Sequence, residues 1–379
     1  MRRRRWVWLC AIMTLTICGG IMAARAPRLD RAYVEKITAR ARERYQIPAA
    51  AVYVMNGEGV RFGAVEGVRV DGTAEAVAED DYFHLGSCAK SVLAYMAGRM
   101  VEEGLIRWDT LFFDVLPEFY EDALDAYHDI TLVDLLACRG GIQPYTSGAE
   151  AYPDLSGAED KRAAFIRYLV GQDPAADRDE TGAFAYAYSN AGYTLACAML
   201  ERAAGVPYEG LLDRYIRDEL GLDVVIGWPI GVDEDQPWGH YLHDDRSLEP
   251  LGPDAGYSMN TMIAPAGDLS MRPGDFAEYV RLHLNGLRGS GGPLRQETVA
   301  YMDRGYDGFS LGAWNERTLG RECVYIDGSA GTFYARGLII PEADFGIAVM
   351  INNGSEAAVD YISMALAKAR FRWWWMFWV

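Results

Sequence analysis

Strand-forming runs gather at the two ends of this chain, with a long stretch of helix and loop between them. Near the start, residues 49–55 and 60–68 are apolar and β-branched. The Asn56-Gly57-Glu58-Gly59 link between them opens with a hairpin-forming Asn-Gly pair. The remaining strand-like runs lie at 309–314, 323–326, 332–340 and 345–351, each bounded by turn residues. The intervening apolar periodicity is helical, at 132–138, 161–170, 191–204, 208–220 and 273–287. The expected class is therefore α+β. An antiparallel sheet is formed by N- and C-terminal strands and flanked by helices, and a large, mostly helical region over about 105–300 is inserted into it. A functional site is expected at the seam between the two parts.

Three further helices complete the pattern. One covers 30–45, with Asp30 as cap and Tyr33, Ile37 and Ala41 on one face. Another begins at Ser87, places Leu93, Met96, Met100 and Val101 at helical spacing, and closes at Gly104. The last follows Asn352-Asn353-Gly354-Ser355.

The ends lie outside this plan. Arg2-Arg3-Arg4-Arg5 precedes an uncharged apolar run over 6–24, the pattern of a secretory signal or an uncleaved inner-membrane anchor. Residues 1–26 are assigned to that role, 27–370 to one folded domain and 371–379 to an aromatic tail. Four of the ten tryptophans lie in that tail, which reads as an interfacial anchor or a frayed end. The arginines stay inside, so either reading of the leader makes the domain extracytoplasmic, periplasmic or secreted. With a formal charge of −18, and five Arg but no acid in the leader, the folded part is strongly acidic. Nucleic acid is excluded as a partner, and membrane association is left to the N-terminal segment. The oligomeric state is open.

Chemistry concentrates in three short motifs. Ser87-Cys88-Ala89-Lys90 places a hydroxyl and an amine three residues apart at a helix start, where they share a face. Serine needs a base to take its proton, and a lysine serves when burial lowers its pKa. The helix N-terminus disfavours an ammonium and offers N–H groups to an oxyanion. Tyr188-Ser189-Asn190 adds a phenol that can relay a proton, and an amide that can serve substrate or lysine. The bland alternative is that Ser189 or Asn190 simply caps the next helix. Asp327-Gly328-Ser329 ends a strand with a small residue, so that substrate can lie along the backbone and the Ser329 N–H can help an oxyanion hole. An ordinary hairpin turn would look the same.

Taken in order, these motifs resemble the serine β-lactamase and penicillin-binding-protein superfamily, in its class C-like branch of β-lactamases, D-amino-peptidases, D,D-carboxypeptidases and esterases. The resemblance covers about residues 30–365. It runs through Phe83-His84-Leu85-Gly86-Ser87-Cys88-Ala89-Lys90-Ser91, Thr131-Leu132-Val133-Asp134-Leu135-Leu136, Tyr188-Ser189-Asn190-Ala191-Gly192-Tyr193 and Ala264-Pro265-Ala266-Gly267-Asp268-Leu269-Ser270. It implies a β-lactamase/transpeptidase-like fold and acyl-enzyme chemistry without metal or organic cofactor. Ser87 would attack a carbonyl, Lys90 and Tyr188 would handle its proton, and Asn190 would hold the substrate amide. Gly328 and Ser329 would line the substrate edge, with the Ser87 and Ser329 N–H groups as oxyanion hole. The substrate would be an ester, a β-lactam or a D-amino-acid peptide.

Two departures shape that expectation. Where relatives carry Lys or His at the head of the third motif, this chain has Ile326, which ranks esterase or peptidase action above β-lactamase action. The same change supports the contrasting reading of an impaired module that binds or acylates without turnover. Where many relatives read His-Thr-Ser-Gly, this chain has Cys138-Arg139-Gly140-Gly141. The resemblance makes Cys138 a neighbour of Cys88, so a bridge stands beside the commoner outcome that Cys88, Cys138, Cys197 and Cys323 are buried free thiols. It also makes Arg139 a candidate for the missing cation.

Other patterns carry less. Gly308-Phe309-Ser310-Leu311-Gly312 has the form of a nucleophile elbow, but every histidine lies upstream and a strand follows. His240 and His243 lack a third ligand at suitable spacing. The acidic runs at 79–81 and 233–235 lack that of a calcium loop.

Overall fold

The computed structural model describes residues 27–146, 150–318 and 320–371. The leader over 1–26 and the tail beyond Phe371 lie outside the described residues. Helix α1 (Arg31–Tyr45) precedes strands β1 (Ala49–Asn56), β2 (Gly59–Gly67) and β3 (Phe83–His84). Then come α2 (Ala89–Glu102), α3 (Phe112–Val115), α4 (Leu132–Leu136), α5 (Lys161–Val170), α6 (Asn190–Ala204) and α7 (Tyr208–Leu212). Strands β4 (Val224–Ile226), β5 (Gly239–Leu242) and β6 (Leu248–Leu251), helix α8 (Ala264–Gly267) and strand β7 (Leu269–Met271) lead to α9 (Pro273–Arg288) and α10 (Gln296–Arg304). The chain ends with β8 (Gly308–Phe309), β9 (Trp314–Thr318), β10 (Arg321–Ser329), β11 (Tyr334–Ile340), β12 (Phe345–Ile351) and α11 (Glu356–Arg370).

The main sheet has seven strands in the order β2-β1-β12-β11-β10-β9-β8. The two ends of the chain meet where β1 pairs antiparallel with β12, Val52 opposite Val349. The pleat then sorts side chains by parity. On β1, Ala50, Val52 and Val54 join Ile347, Val349 and Ile351 of β12 on an outer face, beneath Val34 and Ile37 of α1 and Val359 and Ile362 of α11. Ala49, Ala51, Ala348 and Met350 turn to the inner face, against Val280 and Leu284 of α9 and the helical region. Strands β11 and β12 are buried at every position, which is why their sequences read as unbroken apolar runs. The α+β arrangement of an antiparallel sheet flanked by helices is therefore as the two-ended strand pattern requires.

The differences are local. Residues 309–314 do not form one strand. Ser310–Ala313 is a turn between β8 and β9, with Gly312 at φ +81°. A Cβ at Gly312 would fall 2.5 Å from the Lys90 carbonyl carbon and the Ser91 nitrogen, so the turn is the point where the sheet presses on α2. Ser310 is buried and donates to the Tyr301 carbonyl, which removes it as an elbow nucleophile. The helix over 208–220 passes into a π-helical stretch, Asp213–Asp218. Helix α10 and the short strands β3–β7 lie outside the elements expected from the sequence. Among the described residues, no helix is long and apolar enough to cross a membrane.

Candidate active site

Gly86–Cys88 form a 3₁₀ turn that runs straight into α2. Ser87 is therefore at a helix start, with Lys90 one turn on. Two glycines let this turn touch β10. A Cβ at Gly328 would lie 2.2 Å from the Leu85 oxygen and 2.7 Å from the Ser87 nitrogen. A Cβ at Gly86, which sits at φ +51°, would lie 2.6 Å from the Ser329 carbonyl. The Ser87 backbone is thus pressed onto the Gly328–Ser329 edge, the juxtaposition a two-N–H oxyanion hole requires.

Lys90 is 1% exposed, with its Nζ 3.2 Å from Ser87 Oγ, 2.6 Å from Asn190 Oδ1 and 2.8 Å from the Ala266 carbonyl oxygen. Burial brings its pKa down to about 7 from 10.5, against a smaller opposing influence of the Cys138 and Cys88 thiols. A neutral amine fits these partners. Asn190 Oδ1 and the Ala266 carbonyl can only accept, while the Ser87 hydroxyl can either accept from the amine or, when the amine is neutral, donate to its lone pair. The Asn190 orientation follows from its other end, where Nδ2 donates to the Tyr145 carbonyl at 2.8 Å.

Tyr188 comes from the segment before α6, its ring 4.7 Å from Lys90 Nζ. Burial of the hydroxyl end raises its pKa well above 10, and a side-chain hydrogen bond with Ser87 pulls the other way. The two groups are thereby driven apart, towards a neutral amine and a neutral phenol. Ser189, not Asn190, is the helix cap: its Oγ accepts from the Gly192 N–H at 2.9 Å. That division of labour frees the Asn190 side chain for Lys90.

The structure thus brings together Ser87, Lys90, Tyr188, Asn190, Gly328 and Ser329. With Lys90 and Asn190 behind Ser87, the residues Ser87, Tyr188, Gly328 and Ser329 line a cleft also walled by Tyr186 and Trp314. These two rings are 37% and 39% exposed and meet edge to face, with Phe309 behind them. Ile326 lies fully buried on the inner face of β10 and offers the cleft no charge. Arg139 does not replace it. Its guanidinium donates to the Ala137 carbonyl at 3.1 Å and lies over the Tyr186 and Tyr306 rings. Arg336 is held by Asp327 and Asp360 on the opposite side of β10.

All four cysteines among the described residues are free and buried, so Cys88 and Cys138 are not bridged. The Cys88 thiol lies 3.5 and 3.4 Å from the Ile326 and Ala335 carbonyls, and Cys138 lies against the Ser189 backbone. His240 is buried as a backbone clamp between Asp71 and Asn352, and His243 pairs with Glu249. Among the described residues no group of His, Cys, Asp and Glu is arranged to hold a metal ion. Sequence reasoning had no means of finding the Ala266 and Tyr145 carbonyls, because a backbone acceptor leaves no trace in residue identity.

Comparison with known proteins agrees with this architecture. The chain is 24% identical over 344 residues to penicillin-binding protein 4 of Amycolatopsis lactamdurans, covering 86% of each protein. Its fold is similar to that of the octameric penicillin-binding protein homologue from Pyrococcus abyssi, with TM-score 0.72 and 20% identity over 89% of this chain and 77% of that one. It is also similar to the class C β-lactamase from Rhodobacter sphaeroides, with TM-score 0.67 and 20% identity over 88% and 98% of the two chains. The Beta-lactamase family profile matches residues 34–369, nearly the whole folded part, and the chain belongs to that family of β-lactamase- and penicillin-binding-protein-like serine hydrolases.

Proposed function

We propose that the chain is an extracytoplasmic serine hydrolase working through an acyl-enzyme on Ser87, with an ester or D-amino-acid peptide as substrate in preference to a carboxylate-bearing β-lactam. The observation that carries this reading is the buried Lys90 amine, held by two obligate acceptors and facing the Ser87 hydroxyl at 3.2 Å. Lys90 takes the Ser87 proton as Oγ bonds to the substrate carbonyl carbon. The negative oxygen of the tetrahedral intermediate is met by the Ser87 and Ser329 N–H groups. Tyr188, kept as a phenol by burial, passes a proton to the leaving alcohol or amine, and is reprotonated from the Lys90 ammonium. Water then attacks the acyl-enzyme by the reverse proton path, releasing the acid and restoring Ser87.

The substrate preference is supported by three features in and around the cleft. Ile326 is apolar, Arg336 is already paired with two carboxylates, and Tyr186 and Trp314 present half-exposed rings beside the nucleophile. A neutral, partly aromatic substrate gains from such a wall, whereas a carboxylate gains nothing from Ile326 and meets an Arg336 whose charge is already paired. The extracytoplasmic part of the proposal is supported by the arginine-headed apolar leader.

The test is incubation of the purified protein with a chromogenic ester, a fluorophosphonate and a fluorescent penicillin, alongside Ser87→Ala. Ester turnover and fluorophosphonate labelling are expected for the parent, and neither for the variant. Labelling without turnover would identify a binding module instead, and no Ser87-dependent labelling with any probe would sink the reading.

A further inference from the structure

One histidine lies directly behind the nucleophile turn. His84 ends β3, which pairs with β7 so that Phe83 faces Met271 and His84 faces Ser270. Its ring is fully buried and stacks on Trp228 at 4.2 Å, with 15° between the planes. Nδ1 lies 3.1 Å from the Gly86 backbone nitrogen, and Nε2 lies 3.1 Å from Asp268 Oδ1. An amide N–H can only donate, so Nδ1 must carry the lone pair. The proton is therefore on Nε2 and points at the carboxylate.

Gly86 has no latitude of its own. It sits in the left-handed region with the Ser329 backbone where a side chain would go, and its N–H would be an unpaired interior donor without His84. The other partners of this turn come from the same short stretch as Asp268. The Leu85 N–H donates to the Leu269 carbonyl at 2.7 Å, and the Lys90 amine donates to the Ala266 carbonyl at 2.8 Å. Residues 266–269 therefore grip the turn before Ser87 and the amine after it, and His84 is the side chain that transmits the grip to Gly86.

We propose that His84, as the Nε2–H tautomer held by Asp268, is a positioning residue that fixes the Gly86–Ser87 turn against Lys90 and β10. The pair touches no substrate. It sets where the Ser87 hydroxyl and N–H stand, so its loss appears in the acylation rate rather than in substrate affinity. The inference rests on the reading of Ser87 as nucleophile.

Three variants separate its two hydrogen bonds. His84→Asn keeps an acceptor near the Nδ1 position but cannot reach Asp268. His84→Gln extends an amide N–H towards Asp268 but brings no acceptor to Gly86, and His84→Ala has neither. A misplacement of about 1 Å at a reacting centre costs on the order of 10²-fold. His84→Gln and His84→Ala are therefore expected to slow fluorophosphonate labelling of Ser87 and kcat for the ester by about 10²-fold, while KM moves less than about threefold. His84→Asn should retain activity within about tenfold of the parent. Asp268→Asn, which still offers an oxygen to Nε2–H, should be milder than Asp268→Ala.

A second measurement needs no variant to fold. Long-range ¹H–¹⁵N correlation on the unsubstituted protein at pH 7 should show one imidazole locked with a bare Nδ1 and a protonated Nε2. Folded His84 variants that label at the parent rate, or a His84 ring protonated at Nδ1, would overturn the proposal. Absence of Ser87-dependent labelling in the parent would instead strike the nucleophile assignment and leave the tautomer measurement standing.

Discussion

Lys90→Met slows acylation of Ser87 by about 10³-fold, the usual scale for loss of a positioned base, and at the same time alters how stability depends on pH. The side chain lies fully buried with pKa about 7, against 10.5 for an exposed lysine. Above pH 10.5 the amine is neutral in both folded and unfolded chains and adds no pH dependence. Between 10.5 and 7 the unfolded chain binds a proton that the folded chain does not, so the parent loses stability as pH falls through that window. Below 7 both forms are protonated and the full cost remains. At about 1.4 kcal/mol per pH unit the window is worth up to about 5 kcal/mol. Methionine does not titrate, so the variant escapes this loss. It leaves Asn190 Oδ1 and the Ala266 carbonyl without their donor, a pH-independent penalty of about 1–3 kcal/mol. The informative quantity is therefore the slope. Urea midpoints at pH 7 and pH 10 should shift in favour of Lys90→Met on going to pH 7, by several kcal/mol relative to the parent, and the parent's acylation rate should rise with pH through about 7. Parallel stability profiles for the two proteins would show that the amine stays charged inside the fold, and with that the general base would be lost.

That the site could be approached from sequence at all follows from helix geometry. Ser87 and Lys90 announce each other because residues three apart share a face, and the distance of 3.2 Å follows from that spacing. Tyr188 and Asn190 lie about a hundred residues away and were tied to the pair by resemblance alone, since no local pattern predicts a contact across the fold. The motif around them also concealed a choice between capping and chemistry. Only the packed structure divides the work, with Ser189 capping α6 and Asn190 turning to Lys90. The sheet was legible because β11 and β12 are buried on both faces and have to be apolar throughout. Residues 309–314 misled for the opposite reason. They are apolar because Leu311 and Ala313 are buried while Phe309 and Trp314 build the aromatic wall of the cleft, and Gly312 breaks the strand where the turn meets α2. His84 and Asp268 are separated by 184 positions, and each alone reads as an unremarkable polar residue near a strand end.

Gly328→Ala tests whether the contact between β10 and the nucleophile turn is as tight as the site requires. The added methyl would sit 2.2 Å from the Leu85 oxygen, 2.5 Å from the Cys88 nitrogen and 2.7 Å from the Ser87 nitrogen, all of them backbone atoms that cannot rotate aside. Gly328 is not among the positive-φ residues, so alanine can adopt its torsions and the effect is steric, not conformational. Relief requires the strand and the turn to separate by roughly 1 Å, which opens the oxyanion hole between Ser87 and Ser329 and strains the buried Cys88 contacts beneath. Overpacking of this kind costs about 1–3 kcal/mol, and a displacement of that size at the reacting centre costs on the order of 10²-fold in rate. The expected result is a folded protein with a lowered urea midpoint, a kcat reduced by about 10²-fold and slowed labelling of Ser87 by every probe. Gly231→Ala supplies the control, because nothing lies within 4 Å of the methyl it would add, and it should be close to neutral in both assays. If Gly328→Ala matched that control in rate, the N–H groups on the two sides of the contact would not be acting on one oxygen, and stabilisation of the intermediate would have to come from other groups.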